Sequence, residues 1–233
     1  MTMENFEQLI LPLLLVALIG YLLGSISFAI ILTRIFAHED VRSHGSGNAG
    51  ATNVLRVAGK KASALTFLCD FLKCAASVLI GYYVLLYVCK QCGIDDEMAR
   101  LGMYAAGFLC IIGHMHPLYF GFRGGKGVVT AAAMMLLLDW RVFLICFAVF
   151  LITFLWKKTV SLSSICASFV YPFVTFSVTY FLDYRVGTLP IVYVVMATAV
   201  ALLIGATVIF KHRANIRRIL AGEEKPISFK KES

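Results

Sequence analysis

Hydrophobic residues in this chain form long runs, and the charged residues lie in short segments between them. The apolar runs cover residues 10–33, 62–89, 98–115, 127–138, 142–156, 161–182 and 189–210. A helix needs roughly 20 apolar residues to cross the hydrocarbon of a bilayer. The pattern therefore predicts an all-α fold, a polytopic integral membrane helical bundle.

The fourth and fifth runs are short for membrane crossings. As helices they would be only about 18 and 22 Å long, against roughly 30 Å of hydrocarbon. They are either two shallow helices or one bent span, and the charge distribution chooses between these alternatives.

Short loops rich in Lys and Arg stay in the cytoplasm, so basic residues set the predicted orientation. They cluster after the first run and in the C-terminal segment, at Arg34, Arg42, Arg56, Lys60, Lys61, Lys211, Arg213, Arg217, Arg218, Lys225, Lys230 and Lys231. Both clusters are cytoplasmic only if residues 127–156 cross the membrane twice or not at all. We favour about seven transmembrane helices, with the N-terminus outside and the C-terminus in the cytoplasm, and keep five as the alternative.

Composition narrows the class of protein further. Apolar residues make up 60% and charged residues 15% of the 233, and the mean hydropathy is +0.85. A globular surface needs more polar side chains than this, which excludes a soluble or secreted domain, a disulfide scaffold, a disordered chain and a nucleic-acid binder. We expect one transmembrane domain over residues 1–233, with cytoplasmic motif loops at 34–61, 113–130 and 211–225.

The first motif segment, 34–61, is rich in small polar residues. Glycines alternate there with hydroxyl and amide side chains, so that the backbone can approach a ligand and aim several N–H groups at it. The candidate ligand-binding residues are Ser46, Gly47, Asn48, Gly50, Thr52 and Asn53. Arg56 then adds a positive charge. The alternative is a turn that caps the next helix through Thr52 or Asn53.

The second segment, 113–130, places glycines around a lysine just before an apolar helix. Gly124, Gly125, Lys126 and Gly127 resemble a phosphate cradle, in which loop amides, a helix N-terminus and an ammonium group converge. The segment is not a Walker A loop, because Phe120 and Gly127 stand where that motif needs Gly and Ser or Thr. Nucleotide hydrolysis is therefore disfavoured.

The third segment, 211–225, follows the last apolar run. If the helix continues through it, His212 and Asn215 share one face while Arg213 and Arg217 share another. One face then carries hydrogen-bonding groups and the other carries charge. The alternative is a solvated, lipid-facing basic flank.

Polar residues also occur within or beside the predicted spans. Asp70 and Lys73 lie three residues apart in the second run, either as a neutralised structural pair or with Lys73 reaching a ligand. Ser161, Ser163 and Ser164 follow a basic pair on the predicted cytoplasmic side. A helix cap is the simpler role for these serines, and Ser163 is kept as a substrate-binding candidate.

The three segments resemble motifs of the bacterial acyl-phosphate:glycerol-3-phosphate acyltransferase family, often called PlsY. The matching residues are 46–56 (SGNAGATNVLR), 113–117 (GHMHP) with 124–127 (GGKG), and 215–218 (NIRR) with 222–224 (GEE). The match spans nearly the whole chain in the same order. Ala49, His116 and Val129 depart from the usual Pro or Ile, Phe and Ala, and none of these changes removes a group that the chemistry needs.

The resemblance implies that glycerol 3-phosphate is acylated by a fatty acyl phosphate, giving lysophosphatidic acid and phosphate in the first step of phospholipid synthesis. It implies catalytic roles for Ser46, Arg56, Lys126, His212 and Asn215. It implies substrate binding by Gly47, Asn48, Gly50, Thr52, Asn53, Gly124, Gly125 and Gly127. Lys73, Ser163 and Arg213 are further substrate-binding candidates because of their positions in the sequence. Glu224 would mainly hold structure, and no metal or cofactor is expected.

The same resemblance implies a multi-pass protein of the bacterial cytoplasmic (inner) membrane, with its active site facing the cytoplasm. The expected partners are both phosphorylated substrates, membrane lipids and the soluble enzyme that supplies acyl phosphate. The residues agree, since two phosphorylated reactants call for two anion sites, and catalysis can rest on positioning and charge stabilisation without a covalent acyl-enzyme.

Three alternatives stay open at this stage. The proton of the attacking hydroxyl can go to His212, whose ordinary pKa suits a base, or to a substrate phosphate with a second pKa near 6. The protein can instead be a transporter or channel for a phosphorylated metabolite, or a transferase with another activated lipid donor. Thioester-using acyltransferases commonly carry His, four residues, then Asp, and no histidine here has that spacing.

Overall fold

The computed structural model describes residues 3–224 and residue 226. Nine α-helices occur in this part of the chain: α1 (Met3–Gly24), α2 (Phe28–Ala37), α3 (Ala51–Cys92), α4 (Arg100–Met115), α5 (Val128–Leu138), α6 (Trp140–Lys157), α7 (Val160–Ser177), α8 (Ile191–Lys211) and α9 (Arg213–Leu220). No strand occurs among the described residues, which confirms the predicted all-α class. Lys225, Lys230 and Lys231, which entered the charge argument, lie outside the described residues.

Six segments of the described chain are long and apolar enough to cross a membrane. They are Glu7–Ala37, Ala51–Cys92, Asp96–Phe120, Trp140–Lys157, Val160–Tyr184 and Ile191–Lys211. The fifth predicted run is longer than expected, because α6 has 18 residues. The fourth is α5, an apolar helix of only 11 residues. The number of crossings and the orientation of the termini stay predictions.

The first predicted run is two helices rather than one. α1 ends at Gly24 and α2 begins at Phe28, so the carbonyl of Ile26 lies in a break between them. The Lys73 ammonium of α3 donates a hydrogen bond of 2.7 Å to this carbonyl. A buried break needs such a partner, because an unpaired backbone carbonyl in a lipid-embedded bundle is costly.

The segment 34–61, expected as a cytoplasmic motif loop, is helical in its second half, and Arg56 lies in that helix. α3 begins at Ala51 and is broken at Gly59, whose φ of +82° is left-handed. The Ser63 hydroxyl donates a hydrogen bond of 2.9 Å to the carbonyl of Ala51. In a straight helix these residues would be about 18 Å apart, so the arm of residues 51–58 folds back at Gly59.

The predicted cytoplasmic loops at 113–130 and 211–225 are also partly helical. α4 reaches Met115 and α5 begins at Val128, so only the residues between them are a loop. In the C-terminal segment α9 follows α8 directly, with His212 between the two helices.

The chain divides into two compact units, Met1–Leu138 and Asp139–Ser233. In the first unit α4 packs closely against α1 and α3 through glycines. A Cβ on Gly24 would overlap the carbonyl of Cys110, and a Cβ on Gly81 would overlap the carbonyl of Gly102. Helices in lipid associate through such small residues, which let the two backbones approach.

The second unit contains the packed helices α6, α7 and α8. An ion pair network joins the start of α6 to the π-helical segment Val178–Tyr184 that continues α7. Arg141 donates to Asp139 at 2.8 and 3.0 Å and to Asp183 at the same two distances. Asp183 is thus buried and paired.

Candidate functional site

The loop of residues 38–50, called the first loop, is held in its conformation by the buried side-chain amide of Asn53. The side chain of Asn53 donates to the carbonyls of Val41 at 2.8 Å and His44 at 3.0 Å, and it accepts the N–H of Ser46 at 3.0 Å. Asn53 was a substrate-binding candidate, but these contacts use its amide to hold the loop. The Ser46 side chain is left exposed at the surface of the loop.

The loop of residues 116–127, called the second loop, is packed against protein through its glycines. A Cβ on Gly124 would overlap the carbonyl of His114, and one on Gly125 would overlap the imidazole of His114 and approach the Ala49 carbonyl at 2.7 Å. Gly127 has a φ of +80°, which favours glycine. The space that these glycines leave is occupied by α4 and the first loop. The predicted phosphate cradle of loop amides, helix N-terminus and ammonium group stays a prediction.

The Arg42 guanidinium links the first loop to the second by hydrogen bonds. The Asp40 carboxylate accepts hydrogen bonds from the Arg42 guanidinium at 2.8 and 3.0 Å. Arg42 in turn donates to the carbonyl of Phe120 at 2.7 Å and to that of Arg123 at 3.5 Å. The first two predicted motif segments therefore lie side by side in the first unit.

The Asp40–Arg42 pair stays charged over a wide pH range. Hydrogen bonds from the Arg42 guanidinium hold the pKa of the Asp40 carboxyl well below its usual range, although partial burial opposes them. The same hydrogen bonds raise the pKa of Arg42. The link between the loops is accordingly insensitive to pH near neutrality.

Both loops end at helix N-termini, where partial positive charge favours anions. The first loop leads into α3 at Ala51 through Gly50, which offers no side chain to cap the helix. The second leads into α5 at Val128. Arg56 is exposed on the α3 arm, and none of the ion pairs among the described residues includes it.

The other predicted residues of these two loops differ in exposure. Lys126 is half-buried, as are Asn48, Gly50, Thr52 and Gly124, while Gly47 is exposed. This end of the first unit thus offers backbone amides, two helix N-termini and fixed cations, which is the chemistry that a phosphate group requires.

Lys73, another binding candidate, is buried among protein acceptors. Its ammonium lies 2.7 Å from Asp70 Oδ1, 3.1 Å from Nδ1 of His114 and 2.7 Å from the carbonyl of Ile26. The ammonium thus forms an ion pair with Asp70 and hydrogen bonds with His114 and the Ile26 carbonyl, all of them protein groups. The contacts agree with the structural alternative that the sequence left open for this pair.

In the second unit, Glu224 gathers the predicted residues of the third segment. Its carboxylate accepts hydrogen bonds from the Ser161 hydroxyl, from Asn215 Nδ2 at 2.6 Å and from Arg218 Nε at 2.6 Å. Burial raises the pKa of Glu224, but these three hydrogen bonds outweigh it and leave the pKa below its ordinary value. The ionised carboxylate therefore holds together the start of α7, α9 and the turn that follows α9.

His212 is buried, and its surroundings determine where its ring proton lies. Nδ1 is 2.8 Å from the carbonyl of Val208, which can only accept, so Nδ1 carries the proton. In the neutral ring Nε2 is then the basic nitrogen. His212 and Asn215 are both buried, whereas Arg213 and Arg217 are exposed, as the helical spacing predicted.

The remaining candidates of the second unit make local contacts. The Ser163 hydroxyl donates to the carbonyl of Thr159, the residue that precedes α7, at 2.9 Å. The Arg213 guanidinium lies over the ring of Phe210, 4.8 Å from its centroid. Neither contact assigns these two residues to a ligand.

Sequence reasoning missed Asp40 and Arg42 as the link between the loops, and it missed His114. A signal existed for His114, which is a polar residue at the end of the apolar run 98–115. No comparable signal marked Arg42, because one basic residue among many in that segment is not distinctive.

Comparisons with known proteins show the family of this chain. The sequence model of the glycerol-3-phosphate acyltransferase family matches residues 14–222. A glycerol-3-phosphate acyltransferase of Clostridioides difficile is 39% identical over 99% of this chain and 100% of its own length. One from Aquifex aeolicus is also 39% identical, over 91% of this chain and 97% of its own.

Two solved structures are similar as well. Both are crystal structures of PlsY, an integral membrane glycerol 3-phosphate acyltransferase, in its glycerol 3-phosphate form at 37% identity and its lysophosphatidic acid form at 36%. Each superposes with a TM-score of 0.71 and covers 93% of this chain and 96% of the other. With its apolar spans, this likeness shows that the chain is a multi-pass integral membrane protein.

Replacing Arg42 by Ala should loosen the second loop. The Phe120 and Arg123 carbonyls lose a charged donor, a hydrogen bond of the stronger kind, so trypsin should cut after Arg123 about tenfold faster. The rate is measured on the purified protein by mass spectrometry of the fragments. Arg34→Ala is the matched control, because Arg34 contacts Asp40 at 3.3 Å but neither carbonyl. Equal cleavage of both variants would contradict the link.

Replacing Glu224 by Gln should destabilise the second unit in a pH-dependent way. A carboxyl whose pKa is lowered by folding stabilises the fold above its unfolded pKa, near 4.3, and this contribution is lost as the pH falls through its folded pKa. The melting temperature of the variant should thus lie below that of the wild type at pH 7, with the gap closing in acid. A difference in melting temperature that does not change with pH would contradict a stabilising role of the Glu224 charge.

Proposed function

Because the chain belongs to the glycerol-3-phosphate acyltransferase family, we propose that it transfers a fatty acyl group from an acyl phosphate to the 1-hydroxyl of glycerol 3-phosphate. The hydroxyl oxygen attacks the acyl carbonyl carbon, and the bond from that carbon to the phosphate oxygen breaks. Inorganic phosphate leaves with the electron pair, and the hydroxyl proton ends on a phosphate. The other product is lysophosphatidic acid.

The observation that carries this proposal is the junction of the two loops in the first unit. Two loops that each end at a helix N-terminus are held together by Arg42; Lys126 lies in the second loop, and Arg56 lies in the α3 arm that follows the first. Both substrates carry phosphate, and both charges must be held against mutual repulsion. We assign the Gly124–Gly127 turn with Lys126 to the acyl phosphate, and Ser46 and Arg56 to the catalytic loop.

An acyl phosphate is a mixed anhydride, so its carbonyl is already activated. Positioning the hydroxyl near it and stabilising the charge that develops in the transition state are then sufficient sources of rate. Neither a covalent acyl-enzyme nor a nucleotide is needed. The acyl chain remains in the hydrocarbon, which the apolar outer faces of the helices contact.

His212 and Asn215 of the second unit also contribute to turnover in this proposal. With the proton of His212 on Nδ1, its Nε2 can accept a hydrogen bond from a substrate hydroxyl and orient it. The substrate phosphate, with a second pKa near 6, then takes the proton. Asn215 is oriented by Glu224, which acts through it rather than on the substrate.

The proposed site faces the cytoplasm of a bacterial cell, at the inner membrane. The cations that flank it belong to the basic segments, and such segments stay on the cytoplasmic side. A soluble enzyme that makes acyl phosphate would then deliver its product on the same side as the glycerol 3-phosphate pool.

The deciding experiment incubates purified protein with labelled glycerol 3-phosphate and either acyl phosphate or acyl-CoA. Lysophosphatidic acid should form with acyl phosphate and not with the thioester. Product from acyl-CoA alone would overturn the proposed donor. If neither donor gives product while the protein carries glycerol 3-phosphate across vesicle membranes, the protein is a transporter.

His212→Ala should lower kcat without abolishing activity. The variant loses one hydrogen bond to the attacking hydroxyl, a contribution of about 1 kcal/mol or somewhat more, so kcat should fall about tenfold. Steady-state rates at saturating substrates check this. A complete loss of turnover in folded protein that still binds both substrates would make His212 the base instead of the phosphate.

A further inference from the structure

His114 lies in the last turn of α4 and is 6% exposed, although it is ionisable. Its Nδ1 is 3.1 Å from the Lys73 ammonium and 3.5 Å from Asp70 Oδ1. Ionisable groups inside a membrane bundle are costly, and they persist mainly where they pair or serve a function. Asp70 and Lys73 neutralise one another at 2.7 Å, so the neutralisation of this pair does not require His114.

The Lys73 ammonium determines where the proton of His114 lies. An ammonium group donates and cannot accept, so Nδ1 of His114 must accept from it. In the neutral ring the proton is then on Nε2. Lys73 is itself held by Asp70 and by the carbonyl of Ile26 in the break between α1 and α2. The orientation and the tautomer of the His114 ring are therefore both determined by Lys73.

The other edge of the ring faces the second loop. A Cβ on Gly125 would overlap Nε2 of His114. The backbone of the same histidine holds the same turn, since the Gly125 N–H donates to the His114 carbonyl at 3.1 Å. His114 therefore touches the glycine turn that precedes Lys126 through both its imidazole and its main chain.

We propose that His114 is a positioning residue for the phosphate-binding turn: the Asp70–Lys73 pair fixes its ring, and its Nε2 edge fixes Gly124, Gly125 and hence Lys126. This inference rests on the proposed function, because the turn matters for activity only if it binds a phosphorylated substrate. The buried charges of α3 thus act on the site through one imidazole, and Lys73 does not touch the substrate.

The first test measures the order of the turn without using activity. In the full-length protein in lipid nanodiscs, hydrogen–deuterium exchange of a peptide covering residues 117–127 should be about tenfold faster in His114→Ala, because the turn loses the buried imidazole against which Gly125 packs. Leu85→Ala is the control. Leu85 is equally buried in the first unit but packs near the far end of α3, against Leu9 and Ile94.

The second test separates binding from chemistry. In His114→Ala, the KM for at least one phosphorylated substrate should rise about tenfold, while kcat changes less than about threefold. Leu85→Ala should lower thermal stability and leave both constants unchanged. A merely structural role for His114 predicts that the two variants behave alike.

Two conservative variants test which edge of the ring matters. Glutamine places its amide nitrogen about where Nε2 lies, whereas asparagine reaches only as far as Nδ1. His114→Gln should therefore recover most of the wild-type KM and exchange rate, and His114→Asn should not. If His114→Ala does not fold, the comparison of His114→Gln with His114→Asn still tests the proposal. Wild-type KM and exchange rate in both variants, or in neither, would overturn it.

Replacing both Asp70 and Lys73 by neutral residues tests whether the effect of His114 on the KM depends on this charged pair. The double variant Asp70→Asn, Lys73→Met removes both charges and leaves no buried ion unpaired. In that background His114→Ala should change the KM less than twofold, because the ring is no longer held. A full tenfold effect there would show that the pair does not act through His114.

These outcomes are distinguishable from failure of the proposed function. If the wild type forms no lysophosphatidic acid, the acyltransferase proposal fails, while the exchange measurement still reports whether His114 orders the turn. If the wild type is active and exchange and KM are both unchanged in His114→Ala, the positioning role is wrong and the acyltransferase proposal stands.

Discussion

Close contact between helix backbones is the constraint on which the first unit depends. In lipid no hydrophobic force drives one apolar helix onto another, so association relies on van der Waals packing and on small residues that permit it. α4 meets α1 and α3 at positions where a single added carbon would strike a carbonyl, as at Gly24 and Gly81. The end of α4 is thereby fixed relative to both neighbours, and the second loop continues from that end.

Polar groups in this unit also hold α4 and the two loops in position. The break between α1 and α2 frees a carbonyl, and the ammonium that satisfies it also holds His114. At the surface, Asp40 and Arg42 perform the corresponding task between the two loops. Most of the charge near the loops thus organises protein, while Arg56 and Lys126 supply the charge that we assign to the substrates.

The sequence predicted the fold class and nearly all of the spans, because run length and charge bias are properties of single segments. It could not predict the break at Ser25 to Ser27 or the fold-back at Gly59, since both depend on partners distant in the chain: Lys73 for the first and Ser63 for the second. The candidate residues were recognisable by type and spacing. Which of them bind substrate and which hold the protein together was not recognisable, because Asn53 holds the first loop through its side-chain amide and the glycines of the second loop pack against α4.

The length of the arm of residues 51–58 affects the orientation of Arg56. Its direction is set by the left-handed residue at its end and by the hydrogen bond that ties Ala51 to Ser63. Each residue of an α-helix advances the side chains by about 100° around its axis, so one insertion or deletion within the arm would turn Arg56 to another side while the long helix beyond Gly59 stayed intact. The number of residues in the arm, and not only their identity, therefore determines where the guanidinium points.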